Sequence, residues 1–325
     1  MSRIVTMTPT EQDVTASRAD DAAPDVSIVV PVLDERDALP ELIDEIDAAL
    51  AAGGRERELI FVDDGSTDGT GEYLRERAAG RDDMVVIDLG RNIGKSGALA
   101  AGFEASRGAA VVTLDGDGQD DPAEIPVLLA KLDEGYDLVS GWKRDRKDPL
   151  RRRLASRVFN RVTALISRVR LHDFNSGLKA YRGDRIRELR IYGEMHRYIP
   201  VLGAQQGWSV TEVQVNHRPR EHGRTKFGFE RYLRGMLDLL AVVFMGRYGN
   251  RPLHLFGGLG ICFFVAGIGI EIYLTIVKLT GSAIGDRPLL VLGVLLIVVG
   301  IQLFTFGLLA QMIVAMRNER SRGRP

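Results

Sequence analysis

From Val26 to Trp142 the chain alternates short aliphatic runs ending in Asp or Gly with longer stretches of helical periodicity. VSIVVPVL is followed by ALPELIDEIDAALAA, ELIFVDDG by TGEYLRERAA, MVVIDLG by KSGALAAGFEASRG and AAVVTLDGDG by PAEIPVLLAKLDEG, before DLVSGW closes the series. Apolar runs this short suit strands covered on both faces, and a helix between successive strands is what a parallel crossover needs. The alternation predicts an α/β fold, a Rossmann-like parallel sheet with helices on both sides. Ligands of such a sheet bind outside the carboxyl ends of its strands. Further on, WSVTEVQVNHRP alternates like another strand.

After residue 252 the chain changes solvent. Leu253 to Leu279 and Pro288 to Met316 are predominantly apolar, and each is long enough to cross roughly 30 Å of hydrocarbon as a helix. Arg247 and Arg251 precede the first stretch, and Arg317, Arg320, Arg322 and Arg324 follow the second. By the positive-inside rule both ends face the cytoplasm, which leaves GSAIGDR as a short external loop. Gly260 and Gly267, then Gly293, Gly300 and Gly307, recur every seven residues, so each set lies on one helix face and suits close packing, within the hairpin or between subunits. Glu271 is a charge inside the first stretch, by default a functional-site candidate, though a position near the external interface beside Tyr273 is the favoured reading.

The net charge of −1 conceals a split. Residues 26–142 carry 10 basic and 26 acidic side chains, whereas residues 143–251 carry 25 basic and 10 acidic. An acidic half suits a cation, and a basic half suits phosphates or an anionic surface. No aromatic-interleaved stripe accompanies the basic charges, so nucleic acid is not expected as a partner. The single cysteine, Cys262, excludes an intramolecular disulfide and a multi-cysteine zinc site. Residues 1–25 have no continuous apolar core of a signal peptide and read as a flexible cytoplasmic tail. Residues 149–170 read as a basic amphipathic helix, with Leu154, Val158, Val162, Leu165 and Ile166 near helical spacing. That helix is either a solvated face or one that docks on an anionic bilayer or guards a phosphate site.

Three strand ends are acidic. Asp115 and Asp117 flank Gly116 after AAVVTL, and two carboxylates one residue apart at a strand end can share a divalent ion with a diphosphate. Asp120 or Asp121, ahead of Pro122, caps the next helix. Asp63 and Asp64 end ELIFV; Asp64 suits a nucleobase ring N–H or a ribose, and Thr67 or Asp68 the following helix cap. Asp34 and Glu35 close the first run. Gly90-Arg91-Asn92-Ile93-Gly94-Lys95-Ser96 mimics a phosphate-binding P-loop but is one residue short of its spacing. In the basic half, Lys143, Arg144, Arg220 and Lys226 stand in or beside loops, where cations suit phosphate oxygens.

Taken in order, VSIVVPVLDE, VDDGSTD, RNIGKSGALAAG, TLDGDGQDDP, DFNSGLKAYR and REHGRTKFG resemble the family 2 glycosyltransferases. They look most like the polyprenyl-phosphate branch, which includes dolichol-phosphate mannosyltransferase and bactoprenol glucosyltransferases. RPL at Arg251 to Leu253 and the paired apolar stretches look like its membrane-anchored bacterial members. The resemblance implies a GT-A domain over residues 26–228, a juxtamembrane amphipathic segment over 229–252, a two-helix anchor over 253–316 and a basic cytoplasmic tail over 317–325. It implies inverting transfer from a nucleotide-diphosphate sugar, a UDP-sugar or GDP-mannose, to a polyprenyl phosphate at the cytoplasmic membrane face, with Mg²⁺ or Mn²⁺. Positions matching Pro31, Leu33, Glu35 and Asp64 then hold the nucleoside; Asp115, Asp117 and Gln119 handle ribose, metal and diphosphate. Lys143, Arg220 and Lys226 contact phosphates, while Asp173 and Ser176 line the acceptor side. Asp63, Lys95 and Gly116, within the same motifs, are counted with the donor-binding set. The first motif departs from the family, with Leu-Asp-Glu where many members have an aromatic and Asn before the Glu.

Donor and acceptor both carry negative phosphates, so their approach needs a cation and fixed basic groups. A phosphate monoester with a second pKa of about 6 is already largely ionised near neutrality and needs positioning more than a base. Asp173 is accordingly expected to orient. A hydroxyl-bearing lipid acceptor such as diacylglycerol would instead make Asp173 an indispensable base, and a nucleotide-sugar-binding scaffold without turnover is the non-enzymatic alternative. A processive polysaccharide synthase is disfavoured by the lack of Q-x-x-R-W and by only two apolar stretches. Oligomeric state is left open.

Overall fold

The computed structural model describes residues 4–6, 23–144, 160–216 and 251–322, apart from positions 52, 162, 166, 168, 282 and 285–287, together with 218, 242, 244 and 248. It divides into two compact units, Met1–Val242 and Val243–Pro325.

The first unit is an eight-stranded sheet. Its strands are β1 (Ile4–Thr6), β2 (Val26–Val32), β3 (Arg57–Asp63), β4 (Met84–Asp88), β5 (Ala110–Thr113), β6 (Leu138–Lys143), β7 (Lys179–Arg182) and β8 (Val210–Val215), in the spatial order β1-β4-β3-β2-β5-β7-β6-β8. All neighbours are parallel except β7, which runs antiparallel to both β5 and β6. The sequence alternation predicted the parallel part; the reversed β7 is new. Because Lys179 at the start of β7 pairs with Thr113 at the end of β5, the reversal brings the segment before β7 to the carboxyl edge of the sheet. Ile4–Thr6, inside the stretch read as a flexible tail, is an edge strand parallel to β4. Its three apolar or β-branched residues extend an open sheet edge, which composition over 25 residues does not register.

The central strands are buried on both faces, and in β2 every residue except Pro31 is inaccessible. Covering them are α1 (Leu39–Ala51), α2 (Thr70–Ala78), α3 (Lys95–Ala105) and α4 (Ile125–Asp133). Helix α1 turns Leu39, Leu42, Ile43, Ile46 and Leu50 inward, a stripe at three- and four-residue spacing. Each such side chain contributes about 1.5–3 kcal/mol of burial. Short helices α5 (Gly183–Glu188) and α6 (Ile199–Gln205) follow β7, with a 3₁₀ turn at Met195–Tyr198 between them. In the basic segment after Trp142, polar Asn160 and Thr163 are buried together with Val169, while Leu165 is 81% exposed. Asn160 is held there by donating to the His172 carbonyl at 2.7 Å. Leu154, Val158, Val162 and Ile166 lie outside the described residues.

The second unit is a helical hairpin, α7 (Pro252–Leu279) and α8 (Pro288–Arg322). Both helices are long and apolar enough to cross a membrane. Most of their large apolar side chains point outward, as at Val265, Ile272, Val291 and Phe306, an arrangement that suits lipid rather than water. Helix α8 runs six residues beyond Met316, into the segment assigned to a tail. The glycine stripe joins the two helices of the hairpin to each other: a Cβ on Gly260 would lie 2.7 Å from the Gly300 carbonyl oxygen, and one on Gly267 2.7 Å from that of Gly293. Gly258 and Gly269 face open space. Gly260→Ile is therefore expected to lower the detergent melting temperature by several degrees and Gly269→Ile to leave it within about 1 °C. Equal shifts in a thermal-stability scan would contradict this packing.

Candidate active site

The carboxyl ends of β2, β3 and β5 deliver their acidic residues to one edge. At β2, Asp34 takes a positive φ of 54°, its side chain accepts from the Thr67 N–H at 2.8 Å, and its own N–H donates to Ser66 Oγ at 2.9 Å. The Asp that replaces the family's Asn thus ties the β2 and β3 loops together. Glu35 is half-buried, its N–H bound to Thr70 Oγ1 at 3.2 Å; Pro31 and Leu33 are half-buried beside it. Asp68, not Thr67, supports the start of α2, accepting from the Thr70 N–H and hydroxyl at 3.0 and 2.6 Å.

At β3, buried Asp63 closes its own turn by accepting from the Ser66 N–H at 2.9 Å. Buried Asp64 accepts from the N–H groups of Ile93 and Gly94 at 2.7 and 3.0 Å, pinning the P-loop-like segment. Burial raises the Asp64 pKa; those two hydrogen bonds oppose the rise and the Asp63 charge adds to it. Gly65, at φ 80°, has Arg91 backbone 2.6 Å from where a Cβ would stand, so only glycine fits between these loops.

Lys95, first residue of α3, reaches from that pinned segment to Asp115 Oδ1 at 2.5 Å. Partial burial would raise the Asp115 pKa, but the charges of Lys95, Lys143 and Lys179 outweigh it and hold the carboxyl far below its usual range. Gly116 crosses β2 so closely that a Cβ would meet Val32 Cγ1 at 2.7 Å. Asp117 is half-buried and accepts from the Gln119 N–H at 3.2 Å. Asp121 caps the turn at Pro122 through the Ala123 N–H, while Asp120 turns inward, accepting the Asp115 N–H at 3.1 Å and pairing with Lys143 at 2.6 Å. Burial would lower the Lys143 pKa, but Asp120 and Asp115 reverse this and raise it.

From the β7 side, buried Asp173 accepts its own turn's Asn175 N–H at 3.0 Å, and Ser140 Oγ donates to its carbonyl at 3.3 Å. Ser176 is buried, and Gly177 lies so close to Asp115 that a Cβ would fall on its carboxylate. Lys179 donates to the Ser176 carbonyl, and burial pushes its pKa down to about 8. His196 lies beside Ser96, its N–H and Nδ1 both 3.0 Å from Ser96 Oγ; burial, then Lys95 and Arg197, hold its pKa well below the ordinary value. Lys179, His196, Arg197 and Gly177 did not emerge from the sequence reading, which took Asp120 only as a candidate helix cap. Lys179 and Gly177 stand inside a quoted motif, NSGLK, whereas His196 and Arg197 carry no local signal. Arg220 and Lys226 lie outside the described residues, but Arg218, just before them, donates its N–H to the Gln119 carbonyl at 3.1 Å and binds Glu45 and Asp121. It leads the chain to the Asp115–Asp121 turn.

Among the described residues no three His, Cys, Asp or Glu side chains gather to hold a metal unaided. Asp115, Asp117 and the Gln119 amide are hard oxygen donors on one turn, a set that suits Mg²⁺ or Mn²⁺ when diphosphate oxygens complete the shell.

Residues 27–191 match the family model described as glycosyl transferase family 2. The chain is 40% identical over 296 residues to a dodecaprenyl-phosphate galacturonate synthase of Rhizobium johnstonii, covering 89% of this chain and 87% of that protein. The chain belongs to glycosyl transferase family 2. A second family 2 relative is the undecaprenyl-phosphate 4-deoxy-4-formamido-L-arabinose transferase of Pseudomonas paraeruginosa, 36% identical over 92% of this chain and 88% of its own. Among solved structures, the fold is similar to that of glucosyl-3-phosphoglycerate synthase from Mycobacterium tuberculosis in complex with Mn²⁺, UDP-glucose and phosphoglyceric acid. The TM-score is 0.53 at 21% identity, over 75% of this chain and 87% of that one. The family 2 sheet, with its acidic strand ends on one edge, is the expected GT-A fold.

Proposed function

We propose that this chain transfers a sugar, with inversion, from a nucleotide-diphosphate sugar to a polyprenyl phosphate at the cytoplasmic face of a membrane. The observation that carries the reading is the meeting of Asp115 with Lys95, Lys143 and Lys179 at one sheet edge, with Asp117 on the same turn, in a chain that also holds two membrane-length helices. Donor diphosphate and acceptor phosphate repel each other, and fixed cations beside hard oxygen ligands oppose that repulsion where charge accumulates. Asp117, with Asp115 and Gln119, would hold Mg²⁺ or Mn²⁺, and the ion would neutralise the leaving diphosphate. Asp64 and Glu35 serve the nucleoside side, and Arg220 and Lys226 the phosphates. The helices keep the catalytic unit at the surface where a prenyl tail presents its phosphate. The names of the two relatives support the acceptor class and differ in the sugar.

Asp173 is read as orienting rather than removing a proton: its carboxylate accepts the Asn175 N–H of its own turn and faces Lys143 and Lys179, and its carbonyl accepts the Ser140 hydroxyl. Asp173→Asn is expected to lower kcat about 10-fold without abolishing turnover; total loss with both substrates still bound would make it a base and favour a hydroxyl acceptor. The reading is tested with detergent-solubilised protein, labelled nucleotide sugars, undecaprenyl phosphate and diacylglycerol, with Mg²⁺, with Mn²⁺ and with chelator. Chelator-sensitive label on the prenyl phosphate is expected. Label on diacylglycerol alone, or donor binding without transfer, would overturn it.

A further inference from the structure

His172, in the loop before β7, is an exposed side chain held on every side but one. Its side chain is 67% exposed. Its N–H donates to Glu212 Oε2 on β8 at 2.8 Å, its Nδ1 meets Glu212 Oε1, and its carbonyl accepts from Asn160. The imidazole lies flat on Trp142 of β6, with ring centroids 4.3 Å apart and planes at 17°. The two backbone bonds already anchor the loop, so anchoring does not require the ring to be ordered, and ordering it costs conformational entropy. A carboxylate only accepts, so Nδ1 carries a proton, and Nε2 is the ring's remaining polar atom. Nε2 has no partner among the described residues. Exposed Arg144 adds a cation beside it, its guanidinium carbon 6.0 Å from the centre of the same Trp142 ring.

We propose that His172 Nε2 binds the phosphate of the prenyl acceptor, with Glu212 and Trp142 fixing the ring for it. The inference rests on the transferase reading above and deepens it by adding a contact on the acceptor side. Asp173 directly follows His172 and Lys143 directly follows Trp142, so the stacked pair stands one residue from a group assigned to the acceptor and one assigned to phosphates. A phosphate oxygen suits Nε2 whichever partner brings the proton: an imidazolium donates to the dianion, and a neutral imidazole accepts from the monoanion. Glu212 favours the first arrangement, and Arg144 supplies further positive charge for the same anion. Holding the ring in advance removes from binding the entropy that a free surface histidine would lose.

The test reads binding by full-length protein in detergent, so it does not depend on turnover. Displacement of labelled undecaprenyl phosphate gives the affinities of that lipid, of undecaprenol, which lacks only the phosphate, and of phosphatidylglycerol. His172→Asn keeps an amide where Nδ1 meets Glu212 but has nothing at Nε2, whereas His172→Gln places its amide at the Nε2 position. His172→Asn is expected to weaken undecaprenyl phosphate at least about 10-fold, the scale of one hydrogen bond to a charged group, and to leave undecaprenol within about 2-fold. His172→Gln is expected to recover part of the loss. A second arm needs no variant: undecaprenyl phosphate, unlike undecaprenol, is expected to protect His172 of the wild type from ethoxyformylation by diethyl pyrocarbonate, read by peptide mass spectrometry. Unaltered affinity in folded His172→Asn, equal losses for both prenyl lipids, or no protection of His172 would overturn the contact and leave the transferase reading intact. Loss in His172→Gln as large as in His172→Asn would reduce the ring to a latch between loop and β8. Equal displacement and protection by phosphatidylglycerol would assign His172 to bilayer phosphates instead. Binding as expected with no transfer from any nucleotide sugar would overturn the transferase reading and leave the phosphate contact.

Discussion

Asp117→Ala is expected to abolish metal-dependent transfer, with kcat falling at least about 1,000-fold, the scale of losing a charge-stabilising element at the reacting group. In the proposed metal site Asp115 is already matched to Lys95, so Asp117 is the carboxylate on which the cation would chiefly depend. Its side chain accepts from the Gln119 N–H at 3.2 Å, while Asp120 and Asp121 hold the rest of the turn. Folding should therefore survive, and melting temperature should change by no more than a few degrees. The measurement is transfer rate against Mg²⁺ and Mn²⁺ concentration. Asp117→Asn should retain a weak activity that needs more metal. An unaltered rate in Asp117→Ala at low metal would remove the cation from this turn.

The second large effect is expected at Lys143. Its side chain is 9% exposed and that of its partner Asp120 is fully buried, 2.6 Å away. Lys143→Met leaves the Asp120 charge buried without its counter-ion, which costs about 3–5 kcal/mol. For a domain of this size the melting temperature falls on the order of 10 °C. Asp120 also accepts the Asp115 N–H, so the loss reaches the Asp115–Asp117 turn and transfer falls with stability. Lys143→Met combined with Asp120→Asn separates the two consequences. Removing the orphaned charge should recover much of the melting temperature, whereas the missing cation beside the phosphates should keep transfer low. An unchanged melting temperature in the single variant would show that the pair holds nothing together.

Much of this was legible in the chain because it depends on neighbours in sequence. Strand and helix periods are local, so the predicted strands over VSIVVPVL, ELIFVDD and AAVVTL are β2, β3 and β5, and their terminal carboxylates share an edge because parallel strands must end on the same side. The cap at Asp121 needs only the residues next to it. The apolar stretches needed only length and composition. The P-loop-like run RNIGKS, set aside on its spacing, has its glycine-flanked turn pinned by Asp64 and its lysine turned to Asp115.

The order of elements, the solvent each segment prefers and the edge at which chemistry collects were determined by the sequence itself, because hydrophobic period and turn chemistry act over a few residues. Which charges meet was decided by tertiary structure. Lys179 comes beside Asp115 because β7 enters the sheet antiparallel, next to β5. Arg197 and His196 come there from a turn a hundred residues after Ser96. The glycine stripe could serve a hairpin or a dimer until the helices crossed at Gly260 and Gly300. Long-range pairings follow from how layers stack once the strands have chosen their order, and no window of the chain short enough to show a period contains both partners.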